Sequence, residues 1–158
     1  MITLKNKVDK VIQNLLVFLM ALMVLNVLWQ VFTRFIMNDP SSFTDELARY
    51  LLIWLGLLGA AYVTGQKMHL AIDYLLNKTK PKIKGILEYV INISIFLFAL
   101  FVMIIGGFNL VALTLYLEQI SAALQIQLGY VYVVLPLSGL LIMFYSTVNI
   151  IQQYKENN

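Results

Sequence analysis

Two small groups of side chains are the candidates for chemistry in this sequence. In the first, His69 and Asp73 lie four residues apart, a spacing that puts two side chains on one face of a helix. An imidazole and a carboxylate so placed could bind a metal ion or pass a proton, but they are too few for a closed metal site. The chain holds no second histidine. A hydrogen bond at a helix end is therefore the favoured role, and we expect neither a metal nor a cofactor.

The second group lies around a short connection. Arg34 would close one helix, and Asp45, Glu46 and Arg49 would open the next. Two interpretations stay open: an ion pair that pins the two helix ends together, or a charged surface that contacts an extracytoplasmic partner or a neighbouring subunit. Cysteine is absent from the chain, and we find no Ser/His/Asp arrangement, phosphate-binding loop or carboxylate pair. The sequence therefore does not predict an enzyme.

The elements that position these groups are predicted to cross a membrane. The 158 residues are 61% hydrophobic and 12% charged, whereas a soluble domain is about 45–50% apolar and about 25% charged. The longest intervals without a charge are 11–33, 50–66, 89–117 and 119–154, and one crossing takes about 20 apolar residues. Because the apolar runs do not alternate with polar residues, a β-barrel is excluded. The sequence predicts one all-α integral membrane domain over 1–158, with spans at about 12–36, 47–65, 86–108 and 130–151.

The stretch 109–129 does not fit a further crossing. Apolar residues recur at spacings of three and four from Leu110 to Leu124, whereas polar residues such as Glu118 lie on another face. This pattern is typical of an amphipathic helix at the membrane surface, here on the periplasmic side. Gly106-Gly107 would separate that helix from the third span. The alternative is a third span that extends beyond the bilayer.

Small residues and a proline predict close packing between helices. Gly56 and Ala60 are four residues apart in span two, with Gly59 beside them, and small residues at this spacing let two helix backbones approach in lipid. The partner is either another span of this chain or a different protein. Pro136 in span four predicts a kink, because it lacks an N–H donor and crowds the carbonyl of Tyr132.

The positions of the basic residues predict the orientation. Nine of the eleven lie in the N-terminal segment, the second connection or the C-terminal tail, while Arg34 and Arg49 flank the first connection. The lysine-rich side of a membrane protein faces the cytoplasm. Both termini are therefore expected in the cytoplasm. The same topology explains the pI of about 9.1, so we expect no nucleic-acid partner.

Several motifs, taken in their order, resemble the small membrane subunit of tripartite ATP-independent periplasmic (TRAP) transporters. They are Trp29–Phe35, Phe43–Ala61, His69–Asp73, Ser121–Leu124 and Leu135–Gly139. The resemblance covers nearly the whole chain. Phe43 stands where this family often has tryptophan and Asp45 where it often has glutamate, and both differences are conservative.

The resemblance implies a four-span scaffold subunit of the inner membrane that pairs with a large permease subunit, which carries the substrate and Na⁺ sites. A soluble periplasmic substrate-binding protein and membrane lipid are the other implied partners. The implied function is Na⁺-coupled import of an organic acid of the sialic acid or C4-dicarboxylate type, with a faint likeness to sialic acid members. The residues favour a scaffold independently, since no ionisable residue is predicted at the middle of a span.

Two other functions remain as alternatives. A self-sufficient small transporter could act as a homodimer of four-helix chains, but it would be expected to carry a membrane-embedded carboxylate in the first span. No such residue is predicted there. An assembly factor or lipid-interface protein would instead act through 109–129.

Overall fold

The computed structural model describes residues 2–39, 41–66 and 81–156, and these residues form helices and turns without a β-strand. The helices are α1 (Ile2–Phe35), α2 (Ser42–Gly65), α3 (Pro81–Phe98), a π-helix (Ala99–Gly106), α4 (Gly107–Tyr116), α5 (Leu128–Tyr132) and α6 (Val134–Glu156).

Among the described residues, four helical stretches are long and apolar enough to cross a membrane. They are Leu4–Phe35, Ser42–Gly65, Lys84–Tyr116 and Leu128–Tyr154, called spans one to four below. The prediction of an all-α protein with four spans is therefore confirmed. Each helical stretch is longer than the predicted crossing, because a helix continues beyond the apolar region wherever a cap or turn does not stop it.

The third span differs from the prediction. The helix does not break at Gly106-Gly107, where both residues have helical dihedral angles, but continues from α3 through the π-helix to Tyr116. A break inside the bilayer would leave peptide groups without hydrogen-bond partners, since no water is present there. Gly107 is instead a packing site: a Cβ atom at this position would lie 3.0 Å from Cδ of Pro136.

The prediction of a separate amphipathic helix over 109–129 is therefore wrong. Its first part belongs to α4, and residues 117–127 form a folded loop, called the 117–127 loop below. Glu118 and Gln125 have positive φ angles of 48° and 55°. The backbone N–H of Ser121 donates to the carbonyl of Ile126 at 2.9 Å. The turns at Glu118 and Gln125 stop the helix, although the spacing of the apolar residues alone would allow it to continue.

The spans pack in a row in the order one, two, four, three. Span one packs chiefly on span two, span two on span four, and span four on α3 and the π-helix. In the most apolar 18-residue stretch of span four, 50% of the residues are buried, against 11% in the same kind of stretch in span one. Spans two and four thus form the centre of the row, and spans one and three form its edges.

Two apolar clusters join the central spans to the edges. One joins spans one, two and four, and the other joins spans two, three and four. The first contains Leu19, Leu51, Leu58 and Val134. The second contains Ala61, Ala99, Met103 and Ile142.

Glycines bring spans three and four into close contact. A Cβ atom at Gly129 would lie 2.5 Å from the side chain of Leu115, and one at Gly139 would lie 2.8 Å from Cβ of Met103. Span four is interrupted at Val133, between α5 and α6. The neighbouring Tyr132 carries the carbonyl group that Pro136 would crowd in a continuous helix. Pro136 thus lies in the first turn of α6, where a missing N–H donor costs little.

Candidate partner surfaces and the contacts that hold them

Glu46 ties the 117–127 loop to the start of span two. Its Oε2 accepts the backbone N–H groups of Ala123 and Leu124, each at 2.8 Å. Its Oε1 accepts the hydroxyl of Tyr50 at 2.6 Å. Hydrogen bonds to a charged acceptor are the stronger kind. This carboxylate therefore holds two segments that are more than 70 residues apart in sequence.

The predicted ion pair that pins the two helix ends is not formed. Glu46 bonds the 117–127 loop instead, and Arg49 forms an ion pair with Asp45 within α2. These two residues lie one helical turn apart, so their side chains meet without crossing to another helix. The Arg34 guanidinium lies 5.9 Å from the centre of the Phe35 ring, and its charge remains exposed.

Amides join spans one and two at this end of the row. Nδ2 of Asn26, a buried residue, donates to the carbonyl of Thr44 at 2.8 Å. Nε2 of Gln30 donates to Oδ1 of Asp45 at 3.2 Å. Hydrogen bonds of neutral side chains thus replace the expected ion pair. The hydroxyl of Ser41 accepts the N–H of Thr44 at 3.5 Å and caps α2.

Asp9 joins three spans at the opposite end. Its Oδ1 accepts the hydroxyl of Tyr145 in span four at 2.6 Å. Its Oδ2 accepts Nε2 of Gln66, which follows span two, at 3.2 Å. The Tyr145 ring lies against Gly65, where a Cβ atom would come within 2.6 Å of it. Sequence reasoning missed Asp9; the available signal is a single acidic residue among Lys5, Lys7 and Lys10.

The two carboxylates mark the two ends of the spans. Along α2, Glu46 and the C-terminal cap residue Gln66 are separated by 20 residues, or about 30 Å at about 1.5 Å per residue. The hydrocarbon core of a bilayer is also about 30 Å thick. The contacts of Glu46 and Asp9 therefore lie near the two membrane surfaces, and these levels are called the Glu46 end and the Asp9 end below.

Two of the small residues of span two, Gly56 and Ala60, line an open groove. A Cβ atom at Gly56 or Gly59 would have no atom of another residue within 4 Å, so neither glycine packs against a described neighbour. The groove lies between spans two and three, over span four, and has a volume of about 640 Å³. Its lining includes Gly56, Ala60, Val63, Ser94, Phe98 and Ile142.

Comparison with known proteins identifies the family. Residues 11–156 match the family described as "Tripartite ATP-independent periplasmic transporters, DctQ component". The chain belongs to this family. It is thus a small TRAP permease subunit, as the motifs indicated, and a multi-pass protein of the inner membrane.

Three relatives carry names from TRAP systems. The sialic acid TRAP transporter small permease protein SiaQ of Vibrio cholerae is 27% identical over 89% of this chain and 80% of its own length. A TRAP transporter small permease protein of Haemophilus influenzae is 33% identical over 56% of this chain and 55% of its own length. The sialic acid TRAP transporter permease protein SiaT of Haemophilus influenzae is 28% identical over 73% of this chain, which matches only 18% of SiaT.

Polar residues inside the spans of this DctQ-family chain connect neighbouring spans. Nε1 of Trp54 donates to the carbonyl of Val131 at 3.1 Å. Nδ2 of Asn149 donates to the carbonyl of Thr64 at 3.1 Å, and the Ser146 hydroxyl donates to the carbonyl of Asn92 at 2.6 Å. Each bond satisfies a polar group that lipid cannot. These residues therefore hold helices together.

The remaining predicted site residues take different positions. His69 and Asp73 lie outside the described residues. Pro136 packs against Gly107, within the chain. Among the described residues, no three histidine, cysteine or carboxylate side chains are grouped as metal ligands. TRAP subunits are transporter components, so membership of the DctQ family gives no reason to expect an enzyme.

Proposed function

We propose that this chain is the small, non-catalytic scaffold subunit of a Na⁺-coupled TRAP transporter that imports an organic acid. The observation that carries the proposal is the DctQ match over nearly the full chain. SiaT supports a large partner, because the part that resembles this chain is 18% of a much longer permease. The partner of this chain would correspond to the rest of such a polypeptide.

A fixed scaffold is the role that the geometry favours. Carboxylates bond neighbouring elements at both ends of the row, and glycine contacts bring spans three and four together. The described carboxylates lie towards helix ends, and Asp9, the one in α1, already accepts two hydrogen bonds. A substrate path usually carries an ionisable group within the membrane that is free to bind. Movement and ion coupling would therefore belong to the large subunit.

Sialic acid is the first substrate class to test. The SiaQ relative is matched over most of both chains and is named for sialic acid. C4-dicarboxylates are the second class. Both are acids, and their recognition would fall to the large permease and the soluble binding protein.

Docking of the binding protein would take place at the Glu46 end. We place this end in the periplasm and both termini in the cytoplasm, in line with the distribution of lysines. The surface there includes the exposed Arg34 and the Asp45–Arg49 pair, and the 117–127 loop lies beside Glu46. Charged groups of both signs at a surface can steer and orient a soluble partner.

The groove that contains Gly56 and Ala60 is our proposed contact for a helix of the large permease. Small residues give no advantage against lipid tails, but they let a second helix backbone approach closely. Both residues are exposed, and the groove stays open in the isolated chain.

Reconstitution tests the proposed function directly. The chain is co-expressed with the large permease of the same genome, and the pair is purified through a tag on this chain. Vesicles with the pair, the binding protein and a Na⁺ gradient should accumulate sialic acid, whereas vesicles without this chain should not. A K⁺ gradient in place of Na⁺ is the control. Undiminished uptake without this chain would contradict the proposal, and uptake by this chain alone would favour the homodimer.

A further inference from the structure

Asn109 lies about midway between the Asp9 end and the Glu46 end of the row. Seven residues, or about 10 Å along the helix, separate it from the end of α4. It lies two residues from Gly107, which contacts Pro136 in span four. Pro136 is in turn nine residues, or about 13 Å, from Tyr145. Asn109 thus belongs to the inner part of a hydrocarbon layer about 30 Å thick.

The Asn109 side chain is exposed there, and no described residue forms a hydrogen bond with it. Two other polar side chains of span three bond their own helix. The hydroxyl of Ser94, also exposed, donates to the carbonyl of Val90 at 2.8 Å. Nδ2 of Asn92 donates to the carbonyl of Glu88 at 2.9 Å. Lipid tails offer neither donors nor acceptors, so an exposed amide at this depth requires a protein partner.

The residues around Asn109 form a continuous exposed face. Phe101, Ile105 and Leu113 follow at intervals of four residues and are 59%, 48% and 54% exposed. The opposite face of the same helix, with Ala99, Met103 and Gly107, is buried against span four. Because span three is an edge of the row, a further helix could pack here without displacing any described span.

We propose that this face binds a transmembrane helix of the large permease, with the Asn109 amide hydrogen-bonded to a polar side chain or free backbone carbonyl of that helix. The inference rests on the proposed function. A permease helix is the expected partner at this face, because the part of SiaT that resembles this chain makes up 18% of one longer permease polypeptide. In SiaT the rest of that polypeptide accompanies the matched part as a large membrane partner. The amide distinguishes a protein neighbour from lipid, and a second copy of this chain is an outcome of the test.

The test compares Asn109→Leu with the wild type in the co-expressed complex. Leucine keeps the approximate size and removes the amide. A buried hydrogen bond between membrane helices is worth about 0.6–2 kcal/mol, so we expect about 3- to 30-fold weaker association with the permease. The matched control is Thr147→Val, which removes an exposed hydroxyl of span four that already bonds its own helix. It should leave association unchanged.

Photo-crosslinking gives a second measurement that does not depend on the Asn109 variant. A benzoylphenylalanine at Phe101, which keeps an aromatic ring at this position, should crosslink to the permease in native membranes. If the wild-type pair does not copurify at all, the proposed function fails. If the pair copurifies but Asn109→Leu binds as tightly as wild type, or position 101 crosslinks only to lipid or to a second copy, this inference alone is overturned.

Discussion

The hydroxyl of Tyr145 donates a hydrogen bond of 2.6 Å to the carboxylate of Asp9, across 136 positions of sequence. Span one otherwise packs chiefly on span two, so this bond connects an edge of the row directly to the central span four. Gln66 donates to the second oxygen of the same carboxylate. At the Asp9 end of the protein, this one acidic residue therefore connects three spans.

Tyr145→Phe should lower the thermal stability of the purified chain. The ring and its packing against Gly65 remain, but Asp9 loses one of its two donors. A hydrogen bond to a charged group is among the stronger ones, and we expect Tm to fall by about 3–10 °C. The measurement is fluorescence-detected unfolding in detergent. Tyr154→Phe is the control, because Tyr154 is 63% exposed, and an unchanged Tm for both variants would contradict the role of Asp9.

Glu46→Ala should loosen the 117–127 loop. The N–H groups of Ala123 and Leu124 lose the carboxylate that accepts them, so their amide hydrogens should exchange faster with solvent. Hydrogen exchange with mass spectrometry on peptides from this loop measures the effect. Glu46→Gln should fall between wild type and Glu46→Ala, since one side-chain oxygen remains.

Asp45→Ala is the matched control for the loop. Asp45 neighbours Glu46 in sequence, but its partners are Arg49 and Gln30 rather than the loop. Exchange in 117–127 should therefore stay at the wild-type rate. Equal acceleration by both substitutions would show that general loss of charge, rather than the Glu46 contact, controls this loop.

Gly139→Ala should destabilise the fold, whereas Gly56→Ala should not. The added methyl group at 139 would lie 2.8 Å from Cβ of Met103, an atom close to the backbone that cannot turn away. Overpacking of this kind costs about 1–3 kcal/mol. At Gly56 the methyl group meets no atom within 4 Å. Unfolding of the two variants by heat gives the comparison, and equal stability would show that spans three and four do not approach this closely.

Gly56→Leu should weaken binding of the large permease while the isolated chain keeps its Tm. The larger side chain would occupy part of the open groove, and its Cβ atom would meet no other atom within 4 Å, so the fold should accept it. Copurification of the permease through a tag on this chain measures the first effect, and thermal unfolding measures the second. Normal copurification with this variant would remove the groove from the permease interface. Leu52→Ile, on an exposed position of the same helix, is the control.

The sequence by itself determined the fold class and the number of spans. Hydrocarbon requires about 20 apolar residues per crossing and excludes charges, so four long charge-free intervals leave little choice. Family membership could also be inferred, because the motifs around Arg34, Glu46 and Pro136 keep a recognisable order. Both properties depend on local composition and spacing, which a sequence displays directly.

Only the tertiary structure decided which residues meet. The spacing from Leu110 to Leu124 suits both a surface helix and the end of a span. Which of the two forms depends on packing between Gly107 and Pro136, which is 29 positions further on in the sequence. Asn109 lies within the membrane as a consequence. Glu46 bonds the 117–127 loop rather than Arg34, and Asp9 bonds Tyr145. Such contacts depend on the relative placement of separate helices, because hydrogen bonds and packing act over a few ångströms between residues that the sequence separates widely.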